Sequence, residues 1–168
     1  MTTAVVLAAG EASRYGSPKQ RVRLPRVLGR LAATSVGRVV VVEGAHPLAD
    51  VLPPGIELAH CDEWRSGPGA TLRCGLAAVG DEDGALVVLA DGPNLDPRAV
   101  ERVLDHRGDA AVVAASWGGV RSHPLWIARA AWDDVPNEGM HARPVVLVPC
   151  DDLEPPGDVD EATWSEAS

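Results

Sequence analysis

Fourteen of the chain's fifteen basic residues are arginine, and its one lysine, Lys19, closes the run Leu7-Ala8-Ala9-Gly10-Glu11-Ala12-Ser13-Arg14-Tyr15-Gly16-Ser17-Pro18-Lys19. An ammonium is a compact, rotatable point charge, whereas guanidinium is a wide planar fork, so the two are not interchangeable at a crowded anion site. Gly10 and Gly16 permit a tight backbone whose amides, with Arg14 and Lys19, form a concavity for phosphate oxygens. One ammonium–phosphate contact at about 4 Å and an effective dielectric near 20 is worth about 4 kcal/mol before desolvation. A second run, Leu86-Val87-Val88-Leu89-Ala90-Asp91-Gly92-Pro93, carries one carboxylate at the end of an apolar segment. A hard divalent cation is held by one or two carboxylates together with substrate phosphates, and Asp91 is placed for that duty. Each feature also has a plainer reading: a lone lysine can be a surface accident, and Asp91 taken alone fits a turn cap better than a ligand. Five residues separate Gly10 from Gly16, and Lys19 follows Ser17-Pro18, which excludes a Walker loop. Gly-x-Gly is absent from this loop after the first strand, which excludes a dinucleotide fingerprint there.

These residues need a frame. Apolar runs bounded by turn residues predict strands over 3–8, 38–42, 56–60, 85–90, 110–115 and 145–148. Helices are predicted between them over 26–35 after Pro25, and over 47–52, 69–79 and 97–106. In the last of these Asp96 caps, Pro97 takes the first position, and Val100, Val103 and Leu104 form an apolar stripe. Such alternation implies a mostly parallel sheet with helices on both faces, so the Gly10 loop and Asp91 both fall at carboxyl ends of strands, where open sheets bind ligands. Trp117-Gly118-Gly119-Val120 reads as a turn between two shorter strands, 151–158 as a proline-bearing acidic loop, and the last ten residues as a short helix anchored by Trp164.

A length of 168 residues suits one domain spanning 1–168. No apolar run is long enough to span a membrane, and the N-terminus lacks a signal-peptide pattern, which predicts a cytoplasmic chain that does not engage membrane. Cys61, Cys74 and Cys150 are widely spaced and odd in number, so they read as reduced thiols rather than a disulfide or zinc framework. The net charge of −9 argues against nucleic acid as a partner. Yet no acidic residue occurs from Ala12 to Val42, where Arg14, Lys19, Arg21, Arg23, Arg26, Arg30 and Arg38 make one basic patch suited to a small polyanion.

Leu-Ala-Ala-Gly-x-x-Ser-Arg-x-Gly-x-x-Lys after the first strand, followed by Leu-Ala-Asp-x-Pro after a central one, resembles the molybdenum-cofactor nucleotidyltransferases. These lie within the superfamily that also makes nucleotide sugars. The likeness continues through Trp64-Arg65-Ser66-Gly67-Pro68-Gly69-Ala70-Thr71-Leu72-Arg73-Cys74-Gly75-Leu76, through His123-Pro124, and through Asp158-Val159-Asp160. These are similar to the cytidylyltransferase branch. The resemblance implies a three-layer Rossmann-like α/β sandwich with a mostly parallel sheet, nucleotide-diphospho-sugar transferase-like. It also implies a Mg2+-dependent enzyme that moves NMP from an NTP, CTP slightly favoured over GTP, to a small phosphorylated acceptor such as molybdopterin cofactor, releasing pyrophosphate.

In that picture Arg14 and Lys19 are catalytic, holding the triphosphate and stabilising charge on the leaving pyrophosphate. Leu7, Ala8, Ala9, Gly10, Ser66, Gly69 and Thr71 bind the nucleotide. Asp91, with Asp158 or Asp160, holds the metal, and His123 serves the acceptor. The state implied is a monomer or homodimer.

Two departures qualify the match. The Gly-x-Pro-Leu-Leu turn that follows the lysine in the family is missing from 20–26. Where the family has Gly-Asp-x-Gly-x-Arg, this chain reads Pro136-Asn137-Glu138-Gly139-Met140-His141. The first departure favours a small acid acceptor, as in sister enzymes that attach guanylate to phospholactate or phosphoenolpyruvate. Together the two keep open a catalytically impaired nucleotide-binding regulator.

Overall fold

Valine-rich runs become strands where both of their faces can be covered. The computed structural model describes residues 1–10, 19–140 and 143–157. Its strands are β1 (Thr3–Leu7), β2 (Arg38–Glu43), β3 (Glu57–His60), β4 (Gly84–Leu89), β5 (Val112–Trp117), β6 (Val120–Ala128) and β7 (Val146–Pro149), and its α-helices are α1 (Lys19–Ala32), α2 (Pro68–Val79) and α3 (Pro97–Asp105). The sheet order is β3-β2-β1-β4-β6-β5-β7. All neighbours are parallel except β6, which runs antiparallel to both β4 and β5.

Alternate residues of β1 supply two cores. Ala4 and Val6 face Leu24, Val27, Leu28 and Leu31 of α1 and Val100, Val103 and Leu104 of α3. Val5 faces the other way, toward Leu72, Leu76 and Val79 of α2. The result is the three-layer arrangement that strand and helix alternation implied. Gly75 lets α2 close onto β1 and β2, because a Cβ there would collide with Val5 and stand 2.9 Å from Val42.

Several local expectations are corrected. α1 begins at Lys19 and runs through Pro25, instead of starting after it. A proline inside a helix costs about 3 kcal/mol, but Leu24, Val27, Leu28 and Leu31 recur at helical spacing and are all buried, at about 1.5–3 kcal/mol each. Over 47–52 there is only a 3-10 turn, Ala49–Val51. The turn at 118–119 is as expected, with both glycines at positive φ (60° and 77°), the conformation a two-residue hairpin demands. The strand after it is not short, however: β6 spans nine residues and inserts between β4 and β5.

The cysteine reading is overturned for two of the three. Cys61 and Cys74 form a disulfide with Cα atoms 5.7 Å apart, while Cys150 is free and buried. The packing of α2 on β1, β2 and β3 brings together two thiols that lie 13 residues apart in sequence. Among the described residues no helix is long and apolar enough to cross a membrane. The terminal helix expected around Trp164 lies outside the described residues.

Candidate functional site

The chain leaves β1 toward β2 on one side and returns through β4 on the other, so the sheet order reverses between β1 and β4. Open α/β sheets bind ligands at such a switch point, beyond the carboxyl ends of the strands. Leu7 and Leu89 are in register, and the Ala90 amide donates to the Leu7 carbonyl at 3.0 Å, which sets Ala9 and Gly10 at the same edge as Asp91. A cavity of about 540 Å³ opens there. Leu7, Ala9 and Gly10 line it at and just past the end of β1, Leu89 and Asp91 at and just past the end of β4, Gln20 from α1, and Trp64, Arg65, Gly67, Pro68 and Thr71 from the approach to α2 and its first turn.

Each wall has a local cause. Trp64 sits in a 3-10 turn, Trp64–Ser66, and reaches the cavity beside Ala9 because residue 44 is glycine: a Cβ at 44 would stand 2.6 Å from Trp64 Cβ and 2.9 Å from Ala9 Cβ. The Arg65 guanidinium stacks on the Trp64 ring, 5.0 Å from its centroid. α2 then starts at Pro68 with Gly67 as N-cap, at φ 125°, and no side chain caps it. Ser66 is exposed, one residue before Gly67.

The Asp91 turn is held from three directions. Arg23 Nη1 donates to the Asp91 carbonyl at 3.0 Å. The Leu89 amide donates to His123 Nδ1 at 3.4 Å, and the His123 ring, 6% exposed, stands against Gly92. From the far end of the chain, the Pro156 carbonyl accepts from the Asn94 amide at 2.9 Å, and Pro156 packs over Gly92. The acidic loop at 151–157 thus returns to the Asp91 turn. Capping of the next helix falls to Asp96, whose carboxylate accepts from the Arg98 amide at 2.9 Å. The Arg98 side chain bonded to it holds the Asp96 carboxyl below its ordinary range.

Of the nucleotide residues expected from sequence, Leu7, Ala9, Gly10 and Thr71 line the cavity together with Asp91. Ala8 is buried behind them, its amide donating to the Val42 carbonyl at 3.0 Å. Gly69 is buried in the first turn of α2, its amide donating to the Asn137 carbonyl at 2.9 Å. His123 does not line the cavity but lies behind Gly92. Arg14, the Lys19 side chain, Asp158, Asp160 and His141 lie outside the described residues. Among the described residues no cluster of three or more His, Cys, Asp or Glu could hold a metal, and Asp91 is the one carboxylate lining the cavity.

The basic patch read from the acid-free stretch is less uniform than its sequence. Arg21 is bonded to Asp50 and to the Pro47 carbonyl, and Arg38 to Glu57 and to the carbonyls of Ala78 and Val79. These arginines hold the Asp50 and Glu57 carboxyls below their usual range through side-chain hydrogen bonds. Gln20 carries no signal of its own in the sequence, while Arg23 stands there only within the basic patch and Trp64 only as the start of the 64–76 motif. The spacing of Gln20 and Arg23, three apart, signals a shared helix face once α1 is known to start at Lys19.

The family model described as the MobA-like NTP transferase domain matches residues 4–148. Rv0371c from Mycobacterium tuberculosis H37Rv superposes with a TM-score of 0.80 at 24% identity, over 99% of this chain and 94% of that one. A structure of Rv0371c in complex with manganese superposes with a TM-score of 0.78 at 22% identity, over 99% and 95%. The CMP:2-keto-3-deoxy-manno-octonic acid synthetase complexed with CTP reaches a TM-score of 0.70 at 13% identity, over 99% and 97%. At these identities the structures establish the shared fold, a nucleotide-diphospho-sugar transferase-like sandwich. No curated protein matches the chain.

Proposed function

This chain belongs to the MobA-like NTP transferase domain family and is a nucleotidyltransferase, and we propose that it transfers NMP from an NTP, CTP in preference to GTP, to a small phosphorylated acceptor of the molybdopterin-cofactor kind. An acceptor phosphate oxygen attacks the α-phosphorus, the bond from that phosphorus to the bridging oxygen breaks, and pyrophosphate leaves. Such transfers ask a protein for positioning and electrostatics rather than covalent chemistry.

The observation that carries this reading is the convergence at one cavity of Ala9 and Gly10, Asp91 and the start of α2, at the switch point of the sheet. Amides of Leu7 to Gly10, with Arg14 and Lys19, would hold the triphosphate and take up charge on the leaving pyrophosphate. Thr71 and the backbone of Ser66 and Gly69 would flank ribose and base. His123 serves the acceptor side indirectly, by backing the Asp91 turn.

A divalent cation fits the residues present. Asp91 lines the cavity, and Pro156 and Gly157, the residues just before Asp158, pack on Gly92 and Asn94. Asp91, with Asp158 or Asp160, would hold Mg2+, whose charge when bound offsets that of the phosphate oxygens. The manganese complex of the similar Rv0371c is in keeping with this. The preference for CTP leans on the cytidylyltransferase-like middle and late motifs and on the CTP complex of the similar synthetase.

The test is pyrophosphate release from each of the four NTPs, with and without Mg2+, across a panel of phosphorylated acceptors that includes phospholactate and phosphoenolpyruvate. Turnover with CTP, dependent on metal and acceptor, is expected. Nucleotide binding without turnover on any acceptor would replace the proposal with a regulatory nucleotide-binding role.

A further inference from the structure

We infer that Arg73, with the turn at 135–140 that it grips, is a positioning device of the nucleotide site, setting the wall against which ribose and base lie. This rests on the reading that the NTP occupies the cavity between β1, β4 and α2.

Arg73 lies on α2 away from that cavity. It faces a separate surface hollow shared with Leu76, Arg129 and Trp132. Its Nη1 donates to the Val135 carbonyl at 2.7 Å and its Nη2 to Asn137 Oδ1 at 2.6 Å. The turn reciprocates, because the Asn137 carbonyl accepts from the Gly69 amide at 2.9 Å. That amide is one of the first four in a helix, which have no partner within it, and the N-cap Gly67 offers no side chain. The turn therefore supplies from outside the cap that α2 lacks.

The fit is close enough to dictate sequence. A Cβ at position 67 would collide with the Asn137 carbonyl, and one at 69 with the Pro136 carbonyl. The turn is itself anchored: the Gly139 amide donates to the Pro136 carbonyl at 3.0 Å, and Val135 and Met140 are buried in the core on the α2 side of the sheet. Gly67, Pro68 and Thr71 of the same helical turn also line the cavity. A shift of the turn is thus a shift of the wall. Asn137 makes this contact through an amide oxygen, and a carboxylate could make it equally.

The experiment compares kcat, KM for CTP and Tm in wild type, R73M, N137A, N137D and R38M. Arg38 grips the opposite end of α2, through the carbonyls of Ala78 and Val79, far from the cavity, and so controls for loosening of the helix in general. R73M should raise KM about tenfold with kcat within about twofold, the equivalent of one lost charge-assisted hydrogen bond. N137A should shift KM in the same direction, N137D should restore it, and R38M should lower Tm without moving KM. The inference is overturned if KM in R73M and N137A matches wild type, or if R38M shifts KM as far for the same loss of Tm. Should R73M fail to fold, the contrast of N137A with N137D decides. Failure of the wild type to bind any NTP overturns the functional reading and this inference with it. Wild-type turnover with unmoved variants overturns this inference alone.

Discussion

His123 stands directly behind Gly92: a Cβ built at position 92 would lie 2.6 Å from Cε1 of the ring and 2.9 Å from Nε2. Glycine after Asp91 is therefore the condition for burying an imidazole under the turn that presents the carboxylate. Gly92→Ala should push ring and turn apart, costing about 1–3 kcal/mol as overpacking does. Denaturant melts check the stability, and pyrophosphate release should fall further than in a variant equally destabilised elsewhere. Unchanged activity would show that the turn tolerates displacement.

Asp91 lines the cavity, while Asp96 does the capping. Asp91→Asn should abolish the magnesium-dependent part of the stabilisation by NTP. In wild type, NTP at 100 times its dissociation constant contributes about 2.7 kcal/mol. Thermal shifts with CTP, with and without Mg2+, read it directly. A mutant that keeps the metal-linked shift would make Asp91 a turn residue only.

The Cys61–Cys74 bond closes the segment that carries Trp64, Arg65, Gly67, Pro68 and Thr71, all of them on the cavity wall. A loop of this size is worth about 3 kcal/mol through the restricted unfolded chain. Reducing the wild type with dithiothreitol should lower its stability by that order, and Cys74→Ala should be lower from the outset and indifferent to reductant. Equal melts of oxidised and reduced wild type would contradict this.

Asp152 accepts from Arg102 at 2.6 Å through each carboxylate oxygen, and that hydrogen bonding pulls its pKa down to about 2. A carboxyl depressed on folding contributes stability above its unfolded value, roughly 4, and loses it as pH falls through the folded one. Tm should therefore drop on acidification from about pH 4 toward 2, and Asp152→Asn should start lower and drop less. Asp50, Glu57 and Asp96, depressed in the same sense by Arg21, Arg38 and Arg98, add to the acid sensitivity that remains. An acid drop of the same size in Asp152→Asn would remove Arg102 from the account.

Much of the frame was legible because its signals are local. Each valine run from Val5 to Val148 became a strand within a residue or two of its expected bounds, and Asp96-Pro97 opened a helix where capping chemistry placed it. Pro25 misled: read locally it starts a helix, whereas the buried stripe of Leu24, Val27, Leu28 and Leu31 carries α1 through it. The acid-free stretch misled in another way, since Asp50 and Glu57, which neutralise two of its arginines, come from later in the chain.

By itself the sequence determined which segments are apolar enough to be strands, that Gly10 and Asp91 follow two of them, and that this pattern resembles a nucleotidyltransferase. Those properties reside in runs of a few residues. Only the tertiary structure decided that β4 lies beside β1, that β6 inserts antiparallel, that Cys61 meets Cys74, that His123 fills the space Gly92 leaves, and that Arg73 grips the 135–140 turn. Each is a pairing between distant segments. An apolar period marks a face to be buried without naming what buries it, and the partner is settled only when the whole sheet closes its cores.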